Sequence, residues 1–485
     1  MLLGLDLGTG SVKAFLISTG GDALGEGSVP YDVRSPRSGW AESSPEEWWP
    51  ATVHAARSAI GEHGGEVAAI GLSGQMHGVV LSDADGRSLR DAILWADTRS
   101  ARQLAAYQAL GEDLRRRLAN PFAVGMAGPT LLWLRDHEPE SYGTARWALQ
   151  PKDWLRLRLT GVAATEPSDA SATLLYDLEA DGWAFDIVEA IGLRGELLAP
   201  LTNSASVAGH LTRKAAEALG VRAGIPVAAG AADTAAAMLG SGLLETGTVQ
   251  LTVGTGGQIV VPKDQPVADP HGRTHLYRSA ISEGAGRWYS MAAIQNAGLA
   301  LEWVRRVLGA SWDEVYEEAF AVPPGAEGVT FLPYMSGERT PHFDPAARGA
   351  WIHLGLGHER GHLLRAALEG VAFSLRGGVE ALEVAGTPVP ELRLAGGGSA
   401  KGQWRQLLAD VLRRPLRILP DDVAPVASAR GAALLAGVAS GAYRAAREIP
   451  ALAPQPEVTV HPGEASADYE AAYARFQETY PRLGK

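Results

Sequence analysis

The sequence predicts an α/β protein built from two similar halves. Three observations lead there. The first eighteen residues, MLLGLDLGTGSVKAFLIS, read as strand, glycine turn, strand. The pattern returns at Leu251 to Val261 as LTVGTGGQIVV. Around both copies, short apolar strands are followed by amphipathic helical stretches, the alternation of an α/β chain. A hairpin repeated at the head of each half points to a duplicated domain.

In the first copy, Leu2 to Leu7 is apolar except for Asp6, Gly8-Thr9-Gly10 makes the turn, and Val12 to Ile17 returns. Thr9 and Ser11 carry hydroxyls, Lys13 a cation, and the glycines let backbone N–H groups approach a ligand closely. That is a phosphate cradle with a carboxylate beside it. The stretch alone reads equally well as a hairpin with a polar turn. The second copy, Gly254-Thr255-Gly256-Gly257, favours two phosphate-binding hairpins facing each other. No GxxxxGK[ST] occurs, so neither is a Walker loop.

Six motifs follow in order: DLGTGSVK, GQMHG, the Asp233 stretch, LTVGTGG, FLPYMSGERTPH and LAGGGSAKGQWRQLLAD. In this order and spacing the chain resembles the FGGY carbohydrate kinases from about residue 1 to about residue 440, and among them the xylulokinases. The resemblance implies two actin-like (ribonuclease H-like) ATPase domains with an interdomain cleft. The expected division is 1–245, with the sugar site, first phosphate hairpin and catalytic aspartate, and 246–485, with the second hairpin and an adenosine loop. The boundary falls in the Gly-rich SGLLETGT.

Leu24 to Val29 is a third strand. Ser44-Pro45-Glu46-Glu47 starts a helix, with Ser44 as cap, Pro45 at the first position and Glu47 closing a capping box. Trp48, Ala51, Ala55 and Ala59 put an apolar stripe on it, and Pro50 is a place for a kink. Val67 to Leu72 is a short buried strand that delivers Gly74-Gln75-Met76-His77-Gly78 at its end, where open α/β sheets place ligands. On its residues alone, His77 is a structural loop histidine; the resemblance implies that Met76 and His77 touch the sugar. Asp83 to Gly86 is a turn. ILWADTR at Ile93 to Arg99 also matches the family, where it lies near the sugar site, while Asp97 and Arg99 read equally as a surface ion pair. Leu104 to Leu118 and Leu131 to His137 are helical. Pro151 to Leu155 is assigned a structural role. Ser168 to Thr173 reads as a loop over the cleft.

Val227 to Ala229 is a strand that turns through Gly230-Ala231-Ala232-Asp233-Thr234 into a helix from Ala235 to Leu239. Asp233 stands where an N-cap would stand. A carboxylate at a strand–helix junction, among Ala and Gly, also suits a general base. The resemblance implies that role. Ala232 and Thr234 depart from the family's usual Gly before and Asn or Gln after this aspartate, which bears on sugar identity. Ala292 to Leu308 reads as a helix. Glu338 and Arg339 are cleft residues or an internal ion pair. His362 to Ala385 is one helix, or two split at Gly377-Gly378. Leu392 to Ala395, Gly396-Gly397-Gly398 and a helix striped with Trp404, Leu407, Leu408, Val411 and Leu412 form a strand–glycine–helix unit. It reads as a dinucleotide turn with Asp421 downstream, or as the kinases' adenosine loop. Lys401 at the third glycine position and the two GTG hairpins favour the second. The Pro-rich segment Pro450 to Pro462 precedes a C-terminal helix around Tyr469 to Thr479.

The chain has 485 residues, 46% apolar and 20% charged, as in a globular protein of two or three domains. A net charge of −12 argues against a nucleic-acid partner but not against a nucleotide. With no cysteine there is no disulfide framework and no thiolate metal site. Asp6 interrupts the first apolar run, so a signal peptide is not expected. Val423 to Tyr443 reads as a buried helix, not a membrane span. A cytoplasmic location and a homodimer are the expectations for compartment and assembly.

The resemblance thus implies ATP-dependent phosphorylation of a ketopentose, D-xylulose to D-xylulose 5-phosphate, with ATP and Mg²⁺. Phosphoryl transfer asks the protein for alignment and charge stabilisation. Gly8, Thr9, Gly10, Ser11, Lys13, Thr255, Gly256, Gly397, Gly398 and Lys401 are the candidate nucleotide contacts. Asp6 is the candidate metal-holding and catalytic carboxylate. Met76, His77 and Asp233 are the candidate sugar contacts, with Asp233 as base. Rival readings are the same reaction on ribulose, fuculose, gluconate or glycerol, a non-kinase actin-like ATPase, and an oxidoreductase built on the GGG turn. A purely structural protein leaves Asp6 unexplained, since an unpaired carboxylate in an apolar strand is costly.

Overall fold

The computed structural model describes residues 1–399, 401–444, 448–449 and 452–483. Pro450, at the head of the Pro-rich segment, lies outside the described residues. Two seven-stranded mixed sheets organise the chain. In the first, Leu2–Leu7, Ser11–Ile17 and Ala23–Pro30 form an antiparallel meander. Ala69–Gly74 joins Leu2–Leu7 in parallel, followed by Pro226–Ala228 and an antiparallel edge, Val207–His210. The second sheet repeats this plan. Gln250–Val253, Gly257–Lys263 and Trp288–Ile294 make the meander. Leu392–Ala395 and Leu416–Ile418 add in parallel and Val458–Val460 closes the far side antiparallel. The duplication read from the two glycine hairpins therefore extends over both sheets.

Period-2 alternation decides what covers each face of the first sheet. Leu3, Leu5 and Leu7 point to one side, where the helix Pro45–Ile60 lays down Trp48, Ala55 and Ala59. Each fully buried Leu contributes roughly 1.5–3 kcal/mol. Leu2, Gly4 and Asp6 point to the other side. There the covering helix is Val423–Ala439, which comes from the far end of the chain. Its backbone touches the sheet. A Cβ on Gly4 would lie 1.8 Å from the Ala429 carbonyl oxygen, and one on Gly71 1.8 Å from that of Ala432. That run is the buried helix its composition suggests, and among the described residues no helix is long and apolar enough to cross a membrane.

Several elements differ from the sequence reading. Ser44 precedes the helix but its side chain caps nothing, and Glu47 pairs with Arg34 rather than closing a capping box. The helix runs on through Pro50. Helix 104–118 is two short helices broken before Gly111. Ala292 to Ile294 ends a central strand, and the helix begins only at Gly298. A fully buried strand shows a continuous apolar run, which periodicity cannot tell from a buried helix. Helix Arg360–Val384 is unbroken, because Gly378 fits against Ile294 and Ile259, where a side chain would not. Ser168 to Thr173 is no exposed loop. It carries the short helix Pro167–Ala170, is buried, and receives the Arg278 N–H of the second sheet on Ser171 Oγ at 2.9 Å.

Candidate active site

The strand register gathers the carboxylates. Asp6 pairs with Ser73 across one strand boundary, and Ser73 with Ala231 across the next. Asp233 follows two residues on, at the first turn of helix Asp233–Ser241. Ala232, not Asp233, is the N-cap residue. The Asp233 carboxylate instead accepts from the Thr234 N–H at 2.6 Å and the Thr234 hydroxyl at 3.2 Å. Burial and the nearby charge of Asp6 push Asp233 up to about 7. Burial also raises Asp6, against the Ser73 hydroxyl, which donates to it at 3.0 Å, and the charge of Lys13.

A buried polar network fixes the segment that leads to Asp233. Arg156 donates to the Ala229 carbonyl at 2.6 Å, and the Ala232 N–H donates to Ser168 Oγ at 2.9 Å. Ser168 in turn donates to Glu166. Lys152 anchors this group with its Nζ 2.7 Å from Asp153, 2.9 Å from Asp169 and 3.2 Å from Glu166. All five charged groups are fully buried. The structural role assigned to Pro151–Leu155 is therefore a specific one, holding the backbone that presents Asp233. A lone buried charge is very costly, and here each has a partner.

The first hairpin and the GQMHG loop meet. The Gly8 carbonyl accepts from the Tyr31 hydroxyl and also, at 3.2 Å, from Gln75 Nε2. Thr9 Oγ1 accepts from Trp95 Nε1 at 2.9 Å. Met76 is buried, and its sulfur accepts from the Tyr289 hydroxyl at 3.9 Å. His77 adopts φ 69° and shares its Nδ1 with the Ala172 carbonyl at 2.7 Å. That partner can only accept, so Nδ1 carries the proton and Nε2 is left as an acceptor. Burial, then the charge of Arg339, pushes His77 down to about 4, so it is neutral at physiological pH.

A cavity of about 180 Å³ opens between the halves, lined by Asp233, Thr234, Thr252, Gln258, Ala395 and Ser428 among others. The roots of the second hairpin and of the GGG loop thus share a wall with Asp233. Gly398 sits against Val253, just before the Gly254-Thr255-Gly256 turn, whose carbonyls receive the first N–H groups of helix Gly298–Val307. Side chains added at Gly10 or Gly397 would meet open space rather than protein. Ser11 begins the returning strand at the edge of the first turn.

Two predicted phosphate contacts point elsewhere. Lys13 Nζ donates to the Pro425 carbonyl at 2.7 Å, binding the first hairpin to helix Val423–Ala439. Lys401 Nζ pairs with Asp313 at 3.0 Å on the surface. The Asp97–Arg99 pair is not a surface pair. Both side chains are almost fully buried, Arg99 also reaches Glu42, and its guanidinium lies over Trp40. Glu338 and Arg339 form no ion pair: Glu338 accepts the N–H groups of Gln295 and Arg339, while the Arg339 guanidinium lies 5.2 Å over the Trp95 ring. Sequence reasoning took in Trp95 only as part of ILWADTR and missed Tyr31, His275 and Tyr277, which matter through partners distant in the chain.

Comparison with known proteins gives the family. Residues 1–240 match the FGGY family of carbohydrate kinases, N-terminal domain, and residues 249–440 match its C-terminal domain. The chain belongs to the FGGY family of carbohydrate kinases. It is 34% identical to the xylulose kinase of Escherichia coli (strain K12), over 100% of this chain and 99% of that protein. It is also 34% identical to the xylulose kinase of Bacillus subtilis (strain 168), over 92% of this chain and 90% of that one. Among solved structures, xylulose kinase from Rhodospirillum rubrum superposes with a TM-score of 0.89 at 29% identity, covering 100% of this chain and 99% of the other. The two mixed sheets are those of the actin-like ATPase fold of these kinases, and membership makes this chain an ATP-using sugar kinase. That excludes the oxidoreductase and non-kinase ATPase readings.

Proposed function

We propose that this chain transfers the γ-phosphoryl group of ATP to the 5-hydroxyl of D-xylulose, with Asp233 as the general base. The observation that carries the reading is the Asp233 carboxyl, held at about 7 at the mouth of the interdomain cavity. A base with a pKa near the working pH combines the right protonation state with the strongest driving force for proton transfer. The xylulose kinases that match nearly end to end support the choice of sugar. The functional division is placed at 1–245 and 246–485, with helix Val423–Ala439 reaching back to the first sheet.

Asp233 takes the proton of the attacking hydroxyl. His77, fixed as the Nδ1–H tautomer, offers Nε2 to a sugar hydroxyl, and Met76 gives an apolar contact. The turn of Gly8, Thr9, Gly10 and Ser11 and the turn of Thr255 and Gly256 flank the phosphates, and Gly397 and Gly398 let the nucleotide lie against backbone. The open space at Gly10 and Gly397 fits this use. Mg²⁺ fits as well. Asp6 and Asp233 bring two buried carboxylates together from neighbouring strand ends, close enough for the charge of one to act on the other. Mg²⁺ characteristically binds through one or two carboxylates, water and phosphate oxygens. Asp6 would hold it, and when bound the ion neutralises charge on the phosphates. Closure of the halves excludes water and limits futile hydrolysis.

The test is ADP release with MgATP against D-xylulose, L-xylulose, D-ribulose, L-ribulose, glycerol and no sugar. D-xylulose is expected to dominate. If another polyol wins, the sugar assignment fails and Thr234 is the first residue to examine; equal ADP without sugar defeats the reading of Asp233.

A further inference from the structure

The strand His275–Arg278 of the second sheet turns His275 and Tyr277 to one face, two residues apart. Both are buried, at 1% and 0% exposure. Among the described residues, neither ring nitrogen of His275 and not the Tyr277 hydroxyl has a hydrogen-bond partner. Buried polar atoms are nearly always satisfied, so three orphans on one face call for an explanation. Their surroundings supply it. The Tyr277 ring lies 6.1 Å from His77, and His275 stacks on Tyr277 at 5.3 Å. Tyr277 also lies 5.6 Å from Tyr289, whose hydroxyl reaches Met76. The orphaned groups thus face the Met76–His77 loop from the other half of the molecule.

Arg339 joins them. Its charge acts on His77, His275 and Tyr277, and its guanidinium has no ion pair or hydrogen bond among the described residues. It lies over Trp95, which donates to Thr9 of the first hairpin. The cluster therefore runs from the sugar loop to the edge of the phosphate turn. Burial, with Arg339 beside it, holds His275 neutral. A neutral imidazole and a phenol can each donate and accept, as a hydroxyl does, whereas a guanidinium only donates.

We infer that His275, Tyr277 and Arg339 form the second wall of the acceptor site, with His275 and Tyr277 binding hydroxyls of the open-chain sugar and Arg339 donating to its carbonyl oxygen. This rests on reading the chain as a ketopentose kinase. Sugar recognition is then shared between the halves, so bound sugar favours their approach. A sugar hydroxyl lost from a site built to hydrogen-bond it is rejected strongly, which makes these residues determinants of specificity.

The test is steady-state kinetics of the full chain carrying Tyr277→Phe, which removes only an oxygen, and, separately, Arg339→Lys. In each, the KM for D-xylulose is expected to rise about tenfold, as loss of one hydrogen bond predicts, while the KM for MgATP stays within about twofold. Sugar-induced thermal stabilisation without nucleotide should weaken in parallel. A wild type that turns over D-xylulose, with both variants unchanged in sugar KM, overturns this inference alone. The same holds if both KM values rise together. A wild type with no sugar-dependent ADP release overturns the ketopentose reading and this inference with it.

Discussion

Asp233 combines two costs that make sense only together: it is desolvated, and it faces the charge of Asp6. Asp233→Asn should lower kcat by about 10²–10⁴-fold, the usual worth of a general base, with a milder effect on ATP binding; unchanged turnover would remove the base assignment. The same substitution should act on stability with a definite sign. The folded pKa of about 7 lies above the ordinary 3.8, so across that window the folded protein holds a proton the unfolded chain has released. Stability contributed by this site falls as pH rises through it. The Asn variant should therefore gain thermal stability relative to wild type at pH 8 and gain less at pH 5, measured by melting temperature. Thr234 is the second residue to test. Its hydroxyl bonds Asp233 and lowers its pKa, so Thr234→Val should move the acid limb of the pH–rate profile upward with little change in the plateau. A stationary limb would mean that Thr234 serves the sugar instead. At this scale the sequence was legible where placement is local. The GTG turns, the GQMHG loop and Asp233 sit beside their own strand ends. Lys13 and Lys401 were assigned by residue type, and only the fold shows that their ammonium groups reach Pro425 and Asp313.

Among elements, helix Val423–Ala439 is the most demanding. It packs by backbone contact against strands Leu2–Leu7 and Ala69–Gly74 and against helix Asp233–Ser241, where a Cβ on Gly240 would lie 1.9 Å from the Ala427 carbonyl oxygen. Small residues on both sides let it come so close, and its high Ala and Gly content, legible in the sequence as burial, is explained by this contact. Ser428 donates to the Asp233 carbonyl at 3.1 Å, so the helix also touches the turn that carries Asp233. Gly71→Ala tests the packing. Backbone entropy alone would favour alanine in a strand. The 1.8 Å approach to Ala432 reverses the sign, and the variant should lose about 1–3 kcal/mol or more from overpacking, read as a lowered urea midpoint. Gly143→Ala is the control: its Cβ would meet nothing within 4 Å, it lies in a helix, and its midpoint should hold or rise. Equal midpoints for the two variants would mean that the helix yields. Element type was harder to read where burial is complete, as at Trp288–Ile294, because an apolar run lacks the polar residues that mark a period.

For the whole molecule, the chain order of this packing has a consequence. The first sheet is complete by Ala232, yet the helix that covers its inner face is contributed almost two hundred residues later. Leu2, Ala69 and Ala236 belong to the same apolar cluster as Ala429, Ala433 and Leu434. A fragment of residues 1–245 keeps the sheet and loses the cover, exposing a contiguous apolar face of the kind that drives association. Such a fragment should sediment as aggregates and bind a hydrophobic dye. Co-expression with residues 246–485 should return it to solution as a complex, because the second piece carries the missing helix. A monomeric 1–245 fragment with native near-ultraviolet circular dichroism would show that the first half closes its own core. Pairing over so long a separation also predicts slow refolding of the full chain, since the entropy of closing the loop comes before the contacts that repay it. The same link joins folding to catalysis: Lys13 and Asp233 of the first half are tied to Pro425 and Ser428 at the start of the late helix, so the cleft is shaped only once that helix docks.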